Sequence, residues 1–349
     1  MLRRHLLASA AAPLTACTPF SQLAPEGELR KIAFSSCADQ TKPQPIWDTV
    51  RAGRPDLMIF GGDNVYASAS PWSVEQLERA YALQAEQPGF ARLRRETPHL
   101  AIWDDHDYGA NDAGAEFPHK QASKDAFLRF WNVAADDPRR GREGLHTVQM
   151  FGPPGRRVQV IVLDTRWFRS PWRPTDARGA PGRERYIADF DGTKTMLGAQ
   201  QWEWLEAQLR EPAQLRLVVS SVQVLADGHG WERWGHFPFE MYKLYRLITV
   251  TRANGVVFLS GDRHLGAIYR ETRAAPYPLY ELTSSGITHP WREAREAGPN
   301  RLGELFTEQH FGEVAIDWAR GQVRLALKDL QGEVRRGHTV DLREVQIAV

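Results

Sequence analysis

WDDHDYGAND, at residues 103–112, places four carboxylates, an imidazole and a carboxamide within ten residues. The apolar run PHLAI at residues 98–102 precedes it and has the length and character of a buried strand. The polar residues are therefore expected where a strand ends and a loop begins, the edge at which open α/β sheets bind ligands. A bound metal ion would neutralise charges packed this closely. Taken alone, the stretch is more typical of a solvated acidic turn, so the rest of the chain has to decide.

Four other predicted strands end in the same way. The strands at residues 31–34, 56–60, 157–163 and 255–259 are followed by polar residues, namely Cys37, Asp63 with Asn64, Asp164 with Arg166, and Asp262 with His264. Carboxylates suit hard cations, whereas imidazole and thiolate suit iron or zinc. A mixed set spread over five strand ends indicates a cluster of more than one metal. Two-metal clusters are typical of phosphoryl displacement.

The order of the predicted elements indicates the fold class. Strands and helices alternate as far as about residue 286, and a β-hairpin region follows at residues 311–347. This order favours a single α/β sandwich over two separate domains.

Composition excludes some classes of protein. The 349 residues are 42% hydrophobic and 25% charged, with a formal net charge of +1. No global field therefore favours nucleic acid or an anionic membrane surface, and nucleic acid is not expected as the main partner. The sequence has no apolar run long enough to span a bilayer.

Residues 1–24 are predicted to be an export leader. Arg3 and Arg4 supply a basic start, an apolar segment covers residues 6–16, and LTAC at residues 14–17 resembles a lipoprotein cleavage box with Cys17 as the acylated residue. A plain secretory signal is the alternative, and the paired arginines also resemble a twin-arginine signal. We therefore expect the protein in the periplasm or cell envelope, with membrane association only through a lipid anchor. Cys37 would then remain as a lone thiol, protected by burial or by metal ligation.

Two further features each have a purely structural and a functional interpretation. The predicted loop at residues 165–196 is long enough to be functional. Its arginines would cover an anionic substrate, or would simply be solvated: Arg166, Arg169, Arg173, Arg178, Arg183 and Arg185. Tyr81 has amphipathic spacing in a helix predicted over residues 73–87, and on that pattern alone it belongs to the core.

The motifs, in order, resemble those of the PhoD-type alkaline phosphatases, a branch of the calcineurin-like metallophosphoesterases. They are SSC (35–37), GGDNVY (61–66), WDDHDYGAND (103–112), LDTR (163–166), SSVQ (220–223) and GDRH (261–264). The resemblance runs from about residue 31 to the end, which defines a domain over residues 28–349. It implies a four-layer αββα sandwich with a β-rich C-terminal part. It also implies an iron centre flanked by calcium, with zinc, manganese or magnesium as alternatives.

The resemblance also assigns roles to individual residues. Cys37 and Tyr81 correspond to iron ligands, with Tyr66 as the rival phenol, and Asp63 corresponds to the carboxylate that bridges the metals. The ligands of the remaining metals correspond to Asn111 and to Asp262 or His264. Asp105 and His106 correspond to residues close to the phosphate. The segment before Asn111 is one residue longer than in the family pattern.

The predicted activity is hydrolysis of phosphate mono- or diesters by an exported phosphatase or phosphodiesterase. A metal-bound hydroxide would attack phosphorus in line with the leaving oxygen, His106 or His264 would assist the leaving group, and Arg166 would neutralise the phosphoryl oxygens. The substrate would be a small phosphate ester, a lipid or a teichoic-type polymer. One alternative is a phospholipase D-like diesterase acting on membrane lipid. Another is a non-catalytic lipoprotein, stapled by metal, that binds a partner through the loop at residues 165–196.

Overall fold

The computed structural model describes residues 27–347, so the predicted leader and Cys17 lie outside the described residues. Twelve strands within this range form two sheets of six strands each. The strands are β1 (Lys31–Ser35), β2 (Leu57–Gly61), β3 (His99–Ile102), β4 (Thr147–Phe151), β5 (Val158–Val162), β6 (Leu215–Ser220), β7 (Val256–Ser260), β8 (Gly266–Glu271), β9 (Leu279–Ser284), β10 (Phe311–Asp317), β11 (Gln322–Lys328) and β12 (Val334–Asp341).

Seven α-helices lie between the strands in the same range. They are α1 (Ile46–Ala52), α2 (Val74–Glu86), α3 (Pro88–Glu96), α4 (Asp105–Tyr108), α5 (Lys120–Phe130), α6 (Gly198–Arg210) and α7 (Pro238–Val250). The sequence explains several of their starts. Ser73 caps α2 by accepting from the Gln76 backbone N–H at 3.4 Å. Pro88 and Pro238 occupy the first turns of α3 and α7, where a missing N–H does no harm.

Each sheet combines parallel and antiparallel strands, with the parallel strands forming one half of the first sheet and the centre of the second. The first sheet has the order β12-β11-β10-β1-β2-β3, with β1, β2 and β3 parallel. The second has the order β4-β5-β6-β7-β9-β8, with β5, β6, β7 and β9 parallel. Strands β1, β2, β5, β6, β7 and β9 are almost wholly buried, as expected for parallel strands covered on both faces. In each sheet, the carboxyl ends of the parallel strands lie side by side.

The two sheets pack face to face, with helices outside them. Strands β8 and β9 contact β10 and β11, and at Gly312 of β10 an added Cβ would lie 3.0 Å from Leu282 of β9. On the first sheet, the Trp47 ring of α1 packs against Phe60 of β2 at 5.8 Å. On the second, the Gln159 side chain of β5 donates to the Gln208 carbonyl of α6 at 2.8 Å. Buried hydrophobic residues from both sheets form one continuous core.

The predicted fold class is confirmed, and the predicted hairpin region proves to be part of the first sheet. Strand β10 pairs with β1, so the end of the chain completes the sheet that its beginning starts. The sequence patterns missed α3 and β8. They also missed α4, because a loop was expected directly after β3. Among residues 27–347, none of the helices combines the length and apolar character needed to cross a membrane.

Candidate metal centre

The carboxyl ends of the parallel strands of both sheets meet at one edge of the sandwich. The Ser36 hydroxyl, just after β1, donates to the Ser284 carbonyl at the end of β9 at 3.1 Å. Gly62, just after β2, has φ of 111°, and an added Cβ would lie 2.7 Å from the Asp104 Cβ and 3.1 Å from the Ser221 Cβ. Glycine is required here because loops from the two sheets approach so closely.

Four polar residues at this edge have left-handed backbone conformations. The φ angles are 65° at Cys37, 49° at Asp63, 68° at Asp262 and 53° at His264. Such a conformation costs a residue with a side chain roughly 1–2 kcal/mol, and it clusters at functional sites. The sharp turns after β1, β2 and β7 bring these side chains together.

Cys37, Asp63, Tyr66 and His264 form a mixed-donor set. The Cys37 thiol donates to Asp63 Oδ2 at 3.5 Å, and the Tyr66 hydroxyl donates to the same oxygen at 3.3 Å. The Tyr66 hydroxyl also lies 3.2 Å from His264 Nε2. Ligand atoms of Cys37, Asp63 and His264 all lie within 4.8 Å of one another. Burial raises the pKa of Cys37 to about 11 and also raises that of Tyr66, so a bound cation is needed to deprotonate either group near neutral pH.

Tyr81 lies apart from this set, so its predicted role as an iron ligand does not fit its position. Its hydroxyl donates to Asp107 Oδ2 at 3.3 Å, and its ring stacks on Phe130 at 4.3 Å. Asp107 in turn accepts from the Asn64 side chain at 2.6 Å. Tyr81 is thus a core residue, as its helical spacing indicated, and Tyr66 is the tyrosine beside Cys37.

Asp104, Asp105 and Asp262 form an acidic set next to the mixed-donor set. Their ligand oxygens lie within 4.8 Å of one another. Ligand atoms of Asp63, Asp105 and His106 also lie within 4.8 Å of one another. Asp104 Oδ2 and Asp105 Oδ1 are buried and accept no hydrogen bond from any described residue. Burial and the charge of Asp105 raise the pKa of Asp63 well above its usual range. Buried carboxylate oxygens without donors suit bound cations, so the residues present fit a metal centre.

Arg166 does not face a substrate, contrary to its predicted role. It is completely buried, and its Nε donates to Asp104 Oδ1 at 2.5 Å. Its two terminal nitrogens donate to the two Glu232 oxygens at 2.7 and 2.8 Å. With these donors committed, Arg166 fixes the position of Asp104 and leaves phosphate binding to other groups.

His106 lies beside Asp63 and Asp105. Its Nδ1 lies 2.6 Å from the Ser68 hydroxyl, and its backbone N–H donates to Asp63 Oδ1 at 3.2 Å. Its ring lies 4.3 Å from the ring of Tyr66. These contacts hold the ring in place and leave Nε2 as the nitrogen not engaged by Ser68.

The two sets open into a pocket of about 230 Å³. Asp63, Asp105, His106, Asp262 and His264 line it. The wall residues that complete it are Asn111, Asp112, Arg185, Trp231, Glu232, Arg263 and Trp291. The structure therefore brings the predicted site residues together except Tyr81. Arg166 contacts the acidic set but does not line the pocket, and Asn111 lies at the exposed rim.

Sequence reasoning missed most of the wall. Arg185 was one of six arginines in the long loop, and nothing in the pattern separated it from Arg183, which pairs with Asp176 at the surface. Glu232 and Trp231 follow Gly228 and Gly230 in a loop that had no predicted role. The only signal for Glu232 was an acidic residue in a glycine-rich loop. Its burial, which distinguishes it from a surface residue, is not visible in the sequence.

Comparisons with known proteins agree with this architecture. A sequence profile of the PhoD-like phosphatase family matches residues 32–329. The structure is similar to one described as the structure of PhoD, with a TM-score of 0.68 at 15% identity over 93% of this chain and 70% of that one. It is also similar to a purple acid phosphatase isolated from yellow lupin (Lupinus luteus) seeds. That TM-score is 0.57 at 11% identity, over 94% of this chain and 56% of that one. No curated protein sequence matches the chain.

Proposed function

This chain belongs to the PhoD-like phosphatase family, and from that premise we propose that it is an exported enzyme cleaving phosphate mono- or diesters in the pocket described above. Membership makes the chain a metal-dependent phosphoesterase that acts on phosphate esters. One observation carries the finer proposal: a mixed-donor set and an acidic set, adjoining at Asp63, open into the same pocket.

The chemistry of the donors suggests different metals for the two sets. Thiolate, phenolate and imidazole suit a transition metal, so we assign ferric iron to Cys37, Asp63, Tyr66 and His264, with zinc as the alternative. The acidic set offers oxygen alone, which suits calcium, with manganese or magnesium as alternatives. Bound there, such ions supply Lewis-acid activation of water and neutralise phosphoryl charge.

The chain's own residues have separate tasks in this proposal. Asp63 belongs to both neighbourhoods and is assigned as the bridging carboxylate. His106, with Nδ1 engaged by Ser68, has Nε2 available to give a proton to the leaving oxygen. Neutralising the phosphoryl oxygens, the role first predicted for Arg166, is assigned to Arg185. Its partly exposed guanidinium lines the pocket and suits phosphoryl oxygens.

Export and anchoring rest on the sequence of the leader. Arg3, Arg4 and the LTAC box ending at Cys17 support transport to the periplasm or cell envelope with acylation of Cys17. An anchored enzyme would meet lipid and teichoic-type polymer as well as small esters. The substrate test therefore has to include all three.

The test is turnover by purified protein with metal analysis of the same sample. We expect hydrolysis of p-nitrophenyl phosphate or bis-p-nitrophenyl phosphate that a chelator abolishes and added metal restores. Iron and calcium should each be present in near-stoichiometric amounts. Phosphatidylcholine vesicles and a glycerol-phosphate polymer are assayed in parallel to identify the preferred ester.

Three results would overturn parts of the proposal. Metal-loaded protein without turnover of any ester would favour the non-catalytic lipoprotein. Activity confined to vesicles would favour the phospholipase D-like diesterase. Full activity with one metal alone, and no second ion bound, would remove the assignment of two donor sets to two kinds of ion.

A further inference from the structure

Two tryptophans form a corner on the wall of the pocket. The ring centroids of Trp231 and Trp291 lie 5.7 Å apart with the planes at 80°. Trp291 is 36% exposed, and its backbone N–H donates to the His264 carbonyl at 2.6 Å. The exposed ring is therefore attached to the loop that carries a residue of the mixed-donor set. Because this ring also lines the pocket, it is placed to contact a bound ligand.

Trp231 differs from Trp291 because arginines already occupy its surroundings. The guanidinium groups of Arg185 and Arg263 lie 5.1 and 5.0 Å from the Trp231 ring centroid. Arg263 is itself held by Glu296 at 2.9 Å. These cation–π contacts fix Trp231 as a rigid side of the corner and leave Trp291 as the ring with open surface.

We propose that the corner is a subsite for an aromatic ester group, so that the enzyme prefers phosphate esters of aryl, arylalkyl or nucleoside alcohols. The inference rests on the proposed function, since it names the alcohol part of the same substrate. The pocket, at about 230 Å³, is smaller than the ~300–1,000 Å³ clefts that enclose drug-sized ligands. The alcohol part therefore extends from the phosphoryl group past the wall, where a flat ring stacks on Trp291. Stacking recognises the π-face of the ring and not its hydrophobicity alone.

The experiment compares benzyl phosphate with cyclohexylmethyl phosphate, which have similar size and similarly basic leaving groups but differ in aromaticity. We expect a higher kcat/KM for the benzyl ester in the natural chain. Trp291→Leu should lower kcat/KM for the benzyl ester by about tenfold, and for the cyclohexylmethyl ester by less than about threefold. Trp291→Phe should retain most of the preference because it keeps a ring. Tyr242→Leu, at an exposed position outside the pocket lining, is the matched control and should change neither rate.

Binding provides a second measurement that does not need turnover. Calorimetry with benzylphosphonate and cyclohexylmethylphosphonate, which are not hydrolysed, should show the same Trp291-dependent preference. Binding of this kind without turnover of any ester would refute the proposed function and keep the subsite. Equal losses of affinity for both compounds in Trp291→Leu would mean that the contact is merely apolar or structural, and would overturn the subsite. A natural chain that hydrolyses both esters without preferring the aromatic one would overturn it too.

Discussion

The donors of the metal centre and the residues of the pocket wall are held in place in different ways. Cys37, Asp63 and His264 each lie within a few residues of the end of a buried parallel strand, and hydrogen bonds link them directly or through Tyr66. Arg185, Trp231 and Trp291 come from long connections, and their side chains contact one another. The sheets thus fix the positions of the candidate metal donors, while the loops form the wall around them. Changes at the donors should affect metal content and kcat, and changes at the wall should affect KM.

The largest effect is expected at Asp63. Because Asp63 adjoins both donor sets, Asp63→Asn should lower turnover by about ten-thousandfold, equivalent to ~5 kcal/mol, and reduce bound metal. The measurement is kcat with metal content at matched circular dichroism, with Asp191→Asn at the surface as control. Retention of more than about a tenth of the natural rate, a loss of under ~1.4 kcal/mol, would show that Asp63 does not join the two sets.

The next effect is on stability and concerns Arg166. Arg166→Ala leaves the buried Asp104 without its cation and Glu232 with Arg169 alone, which should lower the free energy of unfolding by about 3–5 kcal/mol. Arg210→Ala removes an exposed helical ion pair with Glu206 and should cost only ~0.3–0.5 kcal/mol. Urea denaturation of the metal-free proteins measures both changes. Similar losses for the two variants would mean that Arg166 contributes no more than a surface residue.

The same contrast explains what could be predicted from the sequence. The fold class, and the clustering of most candidate donors, could be predicted from apolar runs that end in metal-ligand residues, because a strand end has a fixed place at the sheet edge. Arg166 was assigned to the substrate because the sequence gives its charge but not its burial. Its partner Glu232 lies in a distant loop, and only the folded chain brings the two together. Tyr81 was carried over from the family resemblance, although its own helical spacing indicated the core.

A smaller effect should separate Tyr66 from Tyr81. In iron-loaded protein, a phenolate ligand gives a visible charge-transfer band. Tyr66→Phe should remove that band and lower metal affinity by at least about 10–100-fold, because losing a ligand should cost no less than losing one of the groups that support a ligand. Tyr81→Phe should keep the band and cost about 1 kcal/mol of stability, because it loses only the hydrogen bond to Asp107. A band lost in Tyr81→Phe and kept in Tyr66→Phe would reverse the assignment made from the structure.

The smallest effect tests whether the wall acts on binding alone. Arg183 and Arg185 lie two residues apart in the same loop, yet Arg183 pairs with Asp176 at the exposed surface and Arg185 lines the pocket. Arg185→Ala should raise KM about tenfold, equivalent to ~1.4 kcal/mol, with kcat nearly unchanged, because the guanidinium binds the ground state and transition state equally. Arg183→Ala should leave both constants within about twofold, as expected for an exposed pair. A fall in kcat without a change in KM for Arg185→Ala would place this arginine with the reacting groups. The division between donors and wall would then fail at Arg185, which contacts both Asp112 and Trp231.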